Sequence, residues 1–251
     1  MGTTTRRFAV VTGGSRGIGR AVVQRLAADG YGVVFGYRAD EAAAESSVED
    51  AVTAGGLALA QRADVADEAQ LIGLFEAADG FVAQHGGHGL DAVVNNAGIF
   101  DATPIAEATL ARFGELMATN AGSVLIGIQQ AARRMPSGGR IVNVSTIGTL
   151  WPSTGEALYA ASKAAVEQLT RVASREFGSR GITVNCVLAG PTDTDMLRST
   201  SPPEALDGVA GITALGRIGT PIDIAAIVAM LAGDDGGWLT GQLIRADGGL
   251  T

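Results

Sequence analysis

The stretch Phe8-Ala9-Val10-Val11-Thr12-Gly13-Gly14-Ser15-Arg16-Gly17-Ile18-Gly19 decides the fold. Its first four residues are wholly apolar, the pattern of a strand covered on both faces. A glycine-rich turn follows. Beyond it Ile18, Val22, Val23, Leu26 and Ala27 recur at helical spacing as far as Asp29-Gly30. Strand, glycine turn and helix in that order let backbone amides approach a pyrophosphate at a helix N-terminus. The glycines at 13, 17 and 19 follow Gly-x-x-x-Gly-x-Gly rather than Gly-x-Gly-x-x-Gly, so the flanking elements carry more of the reading than the glycines do.

Outward from this unit the same alternation repeats. Strands are expected at Gly32–Tyr37, Leu57–Arg62, Asp91–Val94, Arg140–Val144, Ile182–Leu188 and Gln242–Ile244, with helical segments between them. About seven alternations with no linker, repeat or shift in composition specify one domain over residues 1–251. The fold class is α/β, a doubly wound Rossmann-type fold with a seven-stranded parallel sheet and helices on both faces. Its ligand crevice belongs at the C-terminal ends of the strands, where Gly13–Gly19, Asn95–Gly98 and Ser145/Thr146 all fall. The segment from Ala189 to Pro221, rich in Pro, Thr, Ser and Gly, is expected to be irregular and to act as a mobile substrate lid at about 189–221.

Composition narrows the function. The 251 residues are 47% apolar, enough for a sizeable core, and the formal charge is −8 with no long basic run, which argues against nucleic acid as a partner. A single cysteine, Cys186, excludes an intramolecular disulfide framework and suits a reducing compartment. Residues Met1 to Arg7 lack the apolar core of a signal peptide, and no later run offers a membrane span, so a cytoplasmic location is expected. His85 and His88 lie in a Gly-rich loop with no carboxylate or Cys at ligand spacing, so no metal site is expected.

Cofactor choice is read at the end of the second strand. An acid there would bind a ribose 2′-hydroxyl, whereas an arginine accommodates a 2′-phosphate. Gly36, Tyr37 and Arg38 include no acid, and Arg16 in the glycine turn offers a second guanidinium. NADP(H) is therefore expected rather than NAD. Asp64, after the third strand, either bonds the adenine amino group or caps the helix beginning near Asp67.

The chemistry centres on Tyr159 and Lys163, four apart in a run of helix formers and so one turn apart on one face. A free tyrosine titrates near ~10. An ammonium one turn away is expected to lower that value in a partly desolvated cleft. Asn120 stands in the middle of a predicted helix, where propensity disfavours it. It is either tolerated at the surface or placed to bind water and backbone inside.

With these motifs in order, the chain resembles the short-chain dehydrogenase/reductases along nearly its whole length. The motifs that carry the likeness are Thr12–Gly19, Asn95-Asn96-Ala97-Gly98, Tyr159-x-x-x-Lys163 and Gly248-Gly249. The subgroup it most resembles contains the 3-oxoacyl-(acyl-carrier-protein) reductases and related NADPH-dependent carbonyl reductases. The resemblance implies that Tyr159 protonates a carbonyl oxygen as hydride arrives from the nicotinamide. It implies that Lys163 lowers the Tyr pKa and holds the nicotinamide ribose, and that Asn120 orders a water for proton supply. Gly13, Ser15, Arg16, Gly17, Ile18, Gly19, Tyr37, Arg38, Asn96, Ala97, Gly98 and Gly190 join the cofactor-binding set. Asp64 and Val65 match positions around the adenine, and Thr192 and Thr194 those at the nicotinamide carboxamide. A homotetramer, or a homodimer, is the assembly implied.

Two departures stand out. The family serine lies 13 residues before the Tyr, which is Thr146 here, with Ser145 one earlier; yet Gly148-Thr149 resembles the segment three residues beyond that serine, which favours Ser145. Both hydroxyls are candidates. The family's Pro-Gly after the sixth strand is Ala189-Gly190, which leaves the lid's first residue less restricted. The reaction implied is hydride transfer from NADPH to a ketone or 3-oxoacyl carbonyl of a small-molecule substrate, giving a secondary alcohol. The alternatives are an alcohol or sugar-alcohol dehydrogenase working oxidatively, and an NADP-binding sensor without turnover.

Overall fold

The strand β1 (Phe8–Val11) is buried along its whole length and pairs in parallel with both β2 (Gly32–Tyr37) and β4 (Ala92–Asn95). It thus marks the point at which the strand order reverses. In this computed structural model, which describes residues 6–251, the remaining strands are β3 (Leu57–Arg62), β5 (Arg140–Thr146), β6 (Thr183–Ala189) and β7 (Leu243–Ala246). The seven form one parallel sheet in the order β3-β2-β1-β4-β5-β6-β7, the expected Rossmann-type arrangement. The polar reading of residues 1–5 lies outside the described residues.

Side chains alternate across this sheet and feed two cores. Phe8, Val10, Val93, Ile141, Val184 and Leu188 pack with α3 (Glu68–Gln84), α5 (Ser123–Arg134) and α6 (Ala157–Phe177) on one face. Ala9, Val11, Val33, Phe35, Val142 and Val187 pack with α1 (Gly17–Ala28), α2 (Glu41–Thr53) and α9 (Pro221–Ala232) on the other. Leu26, Leu71, Leu74, Leu90 and Phe75 are fully enclosed. Each contributes on the order of 1.5–3 kcal/mol of burial. Among the described residues, no helix is long and apolar enough to cross a membrane.

Caps account for the helix starts. Asp40 accepts from the Ala43 amide to begin α2, and Asp67 from Gln70 to begin α3. The start of α9 carries a reciprocal Thr220–Asp223 capping box, with Pro221 at its first turn.

Two local expectations are corrected. The helix holding Asn120 is not continuous: α4 (Leu110–Leu116) widens into a π turn (Met117–Gly122) before α5. The segment 189–221 is not irregular either, because it contains α7 (Asp195–Thr200) and α8 (Pro203–Ile212). Neither helix buries a residue, although Leu206, Val209 and Ala210 of α8 are apolar at helical spacing. Pro203 at the first turn of α8 and Thr194 as the side-chain cap of α7 are the signals that were present.

Candidate active site

The glycine turn is built by close approach. Gly13 and Gly17 adopt φ of +69° and +55°, where a side chain is strained. A Cβ on Gly19 would lie 2.0 Å from the Gly13 carbonyl oxygen, and one on Gly14 would lie 2.6 Å from Phe35. The result is a tight turn at the N-terminus of α1, whose cap residue Arg16 makes no side-chain cap hydrogen bond. Helical amides without intrahelical partners then face the crevice, which suits a dinucleotide's phosphates. Ser15 is buried within the turn, Arg16 is exposed at its rim, and Ile18 packs onto the α1 face of the core.

A residue outside the expected set holds this turn to the next strand. The Thr12 hydroxyl accepts from the amides of Asn96 and Ala97, each at 3.0 Å. The Asn96 amide in return donates to the carbonyls of Thr12 and Gly13. Asn96 therefore shapes the cradle through its side chain. Thr12 could have been found from its place at the strand end, where a hydroxyl meets the backbone of a parallel neighbour.

At the other end of the crevice, Tyr37 is partly buried and Arg38 is exposed at the end of β2. Arg62, in register with Tyr37 on β3, donates from Nε to the Arg38 carbonyl at 3.2 Å. Among the described residues Arg16, Arg38 and Arg62 form no ion pair. Arg62 is the cation that sequence reasoning passed over, because nothing in one strand announces which residue it will pair with. Asp64 does not cap α3: its Oδ1 accepts from the Ala66 amide, closing the turn before the true cap, Asp67. Val65 is buried beside it.

The two candidate hydroxyls part company on β5. Ser145 is buried, and its Oγ donates to Glu167 Oε1 at 2.9 Å, beneath α6. Thr146 accepts from the Gly148 amide at 3.1 Å and stands beside the Tyr159 phenol, whose ionisation it eases. Strand alternation separates neighbours in this way, Ser145 facing Glu167 and Thr146 facing Gly148 and Tyr159.

Tyr159 keeps part of its surface open, and Phe100 packs edge-on against it with ring centroids 5.0 Å apart. Phe100 is itself held by its carbonyl, which accepts from Arg112, the partner of the buried Asp101. The Tyr159 phenol is not acidified here, which corrects the sequence expectation. Burial, reinforced by the Glu156 carboxylate, pushes it up to about 12 against a smaller opposing effect of the Thr146 hydroxyl. Lys163 is buried, and burial lowers its ammonium to about 8. Its Nζ donates to the Val144 carbonyl at 2.9 Å.

Asn120 is fully buried and answers the sequence alternatives: it binds backbone inside. Its Oδ1 accepts from the Ile99 amide at 2.8 Å, and its Nδ2 donates to the Ile99 carbonyl and to Ser162 Oγ. The π turn is what brings it there. A Cβ on Gly98 would come within 3.1 Å of Asn120 Oδ1 and 3.3 Å of Lys163 Nζ, so these three meet at one corner of the crevice.

Beyond β6, Gly190 passes so close to Asp247 that a Cβ would lie 2.6 Å from its Cα. Thr192 is buried and donates to the Gly190 carbonyl. Thr194 carries the segment back over the glycine turn, its Cγ2 3.3 Å from the Cβ position of Gly17. Among the described residues no cluster of His, Cys, Asp and Glu could hold a metal.

Residues 13–251 match the family profile described as enoyl-(acyl carrier protein) reductase. The chain is 37% identical to a 3-oxoacyl-[acyl-carrier-protein] reductase of Staphylococcus aureus, covering 97% of this chain and 98% of that one. A short-chain dehydrogenase/reductase from Serratia marcescens superposes with a TM-score of 0.90 at 41% identity, covering 97% of each chain. An angucycline C-6 ketoreductase solved with bound NADP superposes at 0.92 with 37% identity, covering 97% and 95%. With full-length likeness of this degree on top of the strand order and the crevice just described, the chain belongs to the short-chain dehydrogenase/reductase family, as an oxidoreductase acting on CH–OH or C=O groups.

Proposed function

We propose that this protein reduces a ketone or 3-oxoacyl carbonyl to a secondary alcohol with NADPH. The observation that carries the reading is the Thr146 hydroxyl beside the Tyr159 phenol, with the buried Lys163 one turn along α6 and its ammonium close to Gly98. NADPH supplies the hydride when bound. The cradle of Gly13, Gly17 and Gly19 would receive its phosphates, and Arg38, Arg16 and Arg62 offer guanidinium groups to a 2′-phosphate. Asn96, Ala97, Gly98, Thr192 and Thr194 border the same groove.

Thr146 donates a hydrogen bond to the substrate oxygen, and Tyr159 gives that oxygen its proton. A phenol that titrates near 12 is fully protonated at neutral pH, so the donor form is the resting one. Lys163 presents its buried cation to the cofactor ribose, favours the phenolate left by proton transfer, and is resupplied with protons through a water that Asn120 orders. A reducing compartment suits the single buried thiol, and a homotetramer or homodimer is the expected assembly, read by light scattering.

NADPH oxidation followed optically with a panel of carbonyl compounds, beside NADH, tests the reading. Tyr159→Phe should bind NADPH normally and lose about 10²–10⁴-fold in kcat. A Phe variant with full turnover overturns the proposed acid.

A further inference from the structure

Glu156 closes the crevice on the side away from the glycine cradle. It is the residue before α6, one turn ahead of Tyr159, and it makes no side-chain cap hydrogen bond to that helix. Its Oε2 lies 3.2 Å from the Cβ position of Gly148, which is 3.5 Å from Thr146 Oγ1 and Cγ2. Its charge acts on Tyr159, and among the described residues its carboxylate has no ion-pair partner within 4.0 Å. A carboxylate kept at a helix start for capping would accept from a first-turn amide. This one is turned instead to the wall formed by Thr146 and Gly148, where a substrate held by Thr146 and Tyr159 must lie.

Resting on the proposed reduction, we infer that Glu156 is a specificity-determining residue: its carboxylate admits neutral carbonyl compounds and those bearing a hydroxyl or ammonium donor near the carbonyl, and it excludes β-keto carboxylates. A substrate hydroxyl or ammonium finds an acceptor that no protein cation has claimed. A substrate carboxylate placed one or two carbons from the reacting carbonyl meets a like charge in a half-buried setting. Discrimination of this kind works by repulsion of the wrong substrate as much as by attraction of the right one.

Two substrates with one 3-oxobutanoyl frame, a neutral ester and its free carboxylate, test the idea: ethyl 3-oxobutanoate and 3-oxobutanoate, each reduced with saturating NADPH at pH 8. The wild-type protein should favour the ester in kcat/KM by at least about tenfold, and Glu156→Gln should shrink that ratio by a similar factor. Calorimetric titration of ethyl 3-hydroxybutanoate and 3-hydroxybutanoate into the NADPH-loaded protein gives the same comparison without turnover, and the acid should gain affinity in the variant. A purely structural role would move both compounds together and leave their ratio fixed, which overturns the inference. Glu156→Ala, read in the same way, covers a glutamine variant that fails to fold. If the ester and the rest of the carbonyl panel go unreduced by the wild-type protein, the proposed reductase falls and this inference with it. An ester reduced with a ratio indifferent to Glu156 removes the inference alone.

Discussion

Ser145 and Thr146 are adjacent on β5 and present their hydroxyls to different partners, Ser145 donating to the buried Glu167 and Thr146 accepting from the Gly148 amide beside the Tyr159 phenol. Thr146→Ala should therefore lower kcat/KM by about 10–100-fold, the effect of losing one oriented hydrogen bond to the reacting oxygen, with about 1 kcal/mol lost for the cap on the Gly148 amide. Ser145→Ala should act on stability alone. It leaves a buried carboxylate without that donor, at about 1–3 kcal/mol of stability, and should spare turnover in the folded fraction. Steady-state kinetics and urea denaturation on the two variants separate the roles, and a crossed result would return Ser145 to the reacting group.

What the sequence made legible was local. Strand, glycine turn and helix at Phe8–Ala28 could be read because each element announces itself within a few residues. What it could not supply was rotamers and pairings. The four-residue spacing of Tyr159 and Lys163 holds in α6, yet the ammonium turns to the Val144 carbonyl, a partner 19 residues away in sequence. Arg62 joins Arg38 only through the pairing of β2 with β3. The helices α7 and α8 are short, six and ten residues, and the Leu206, Val209, Ala210 stripe of α8 is masked by the Pro, Gly, Ser and Thr around it.

Lys163 and Tyr159 should give opposite pH signatures. Burial lowers the Lys163 ammonium from 10.5 to about 8, so the folded state carries the cost of a desolvated charge below pH 8 and sheds it as pH rises toward 10.5. Lys163→Met should thus be more stable relative to wild type at pH 7 than at pH 10, by on the order of 2–3 kcal/mol in urea titrations. Tyr159 is raised from 10 to about 12, so its contribution is present below pH 10 and is lost as pH climbs through 12. Phenolate absorbance, wild type minus Tyr159→Phe, should show this one tyrosine ionising above pH 10 in the cofactor-free protein. An apparent value below 9 would mean that the ammonium reaches the phenol after all.

The arginines predict cofactor preference. Arg38→Asp should weaken NADPH binding by about 10–100-fold while barely altering NADH, since a charge-assisted hydrogen bond to phosphate is worth about 1.5–3 kcal/mol. Arg62→Ala should give a smaller loss in the same direction, and the gap between the two cofactors should narrow with added salt. Fluorescence titration with each cofactor reads all three effects. Equal losses for NADPH and NADH would show that these cations do not meet a 2′-phosphate.

Gly19 and Gly17 should fail differently when given a methyl group. Alanine at 19 places its Cβ 2.0 Å from the Gly13 carbonyl oxygen and 2.6 Å from Asn96 Nδ2, so the backbone of the turn must move and the Asn96 tie to Thr12 and Gly13 breaks with it. A loss of about 3 kcal/mol in stability is expected. At 17 the obstacle is the positive φ of +55° and a single methyl contact at Thr194, which costs about 1 kcal/mol. Because Gly17 lies where the segment from 189 to 221 crosses the cradle, its alanine variant should stay folded yet bind NADPH weakly. Thermal melts beside cofactor titrations distinguish the two. A stable Gly19→Ala protein with full NADPH affinity would mean that the turn is looser than its contacts require.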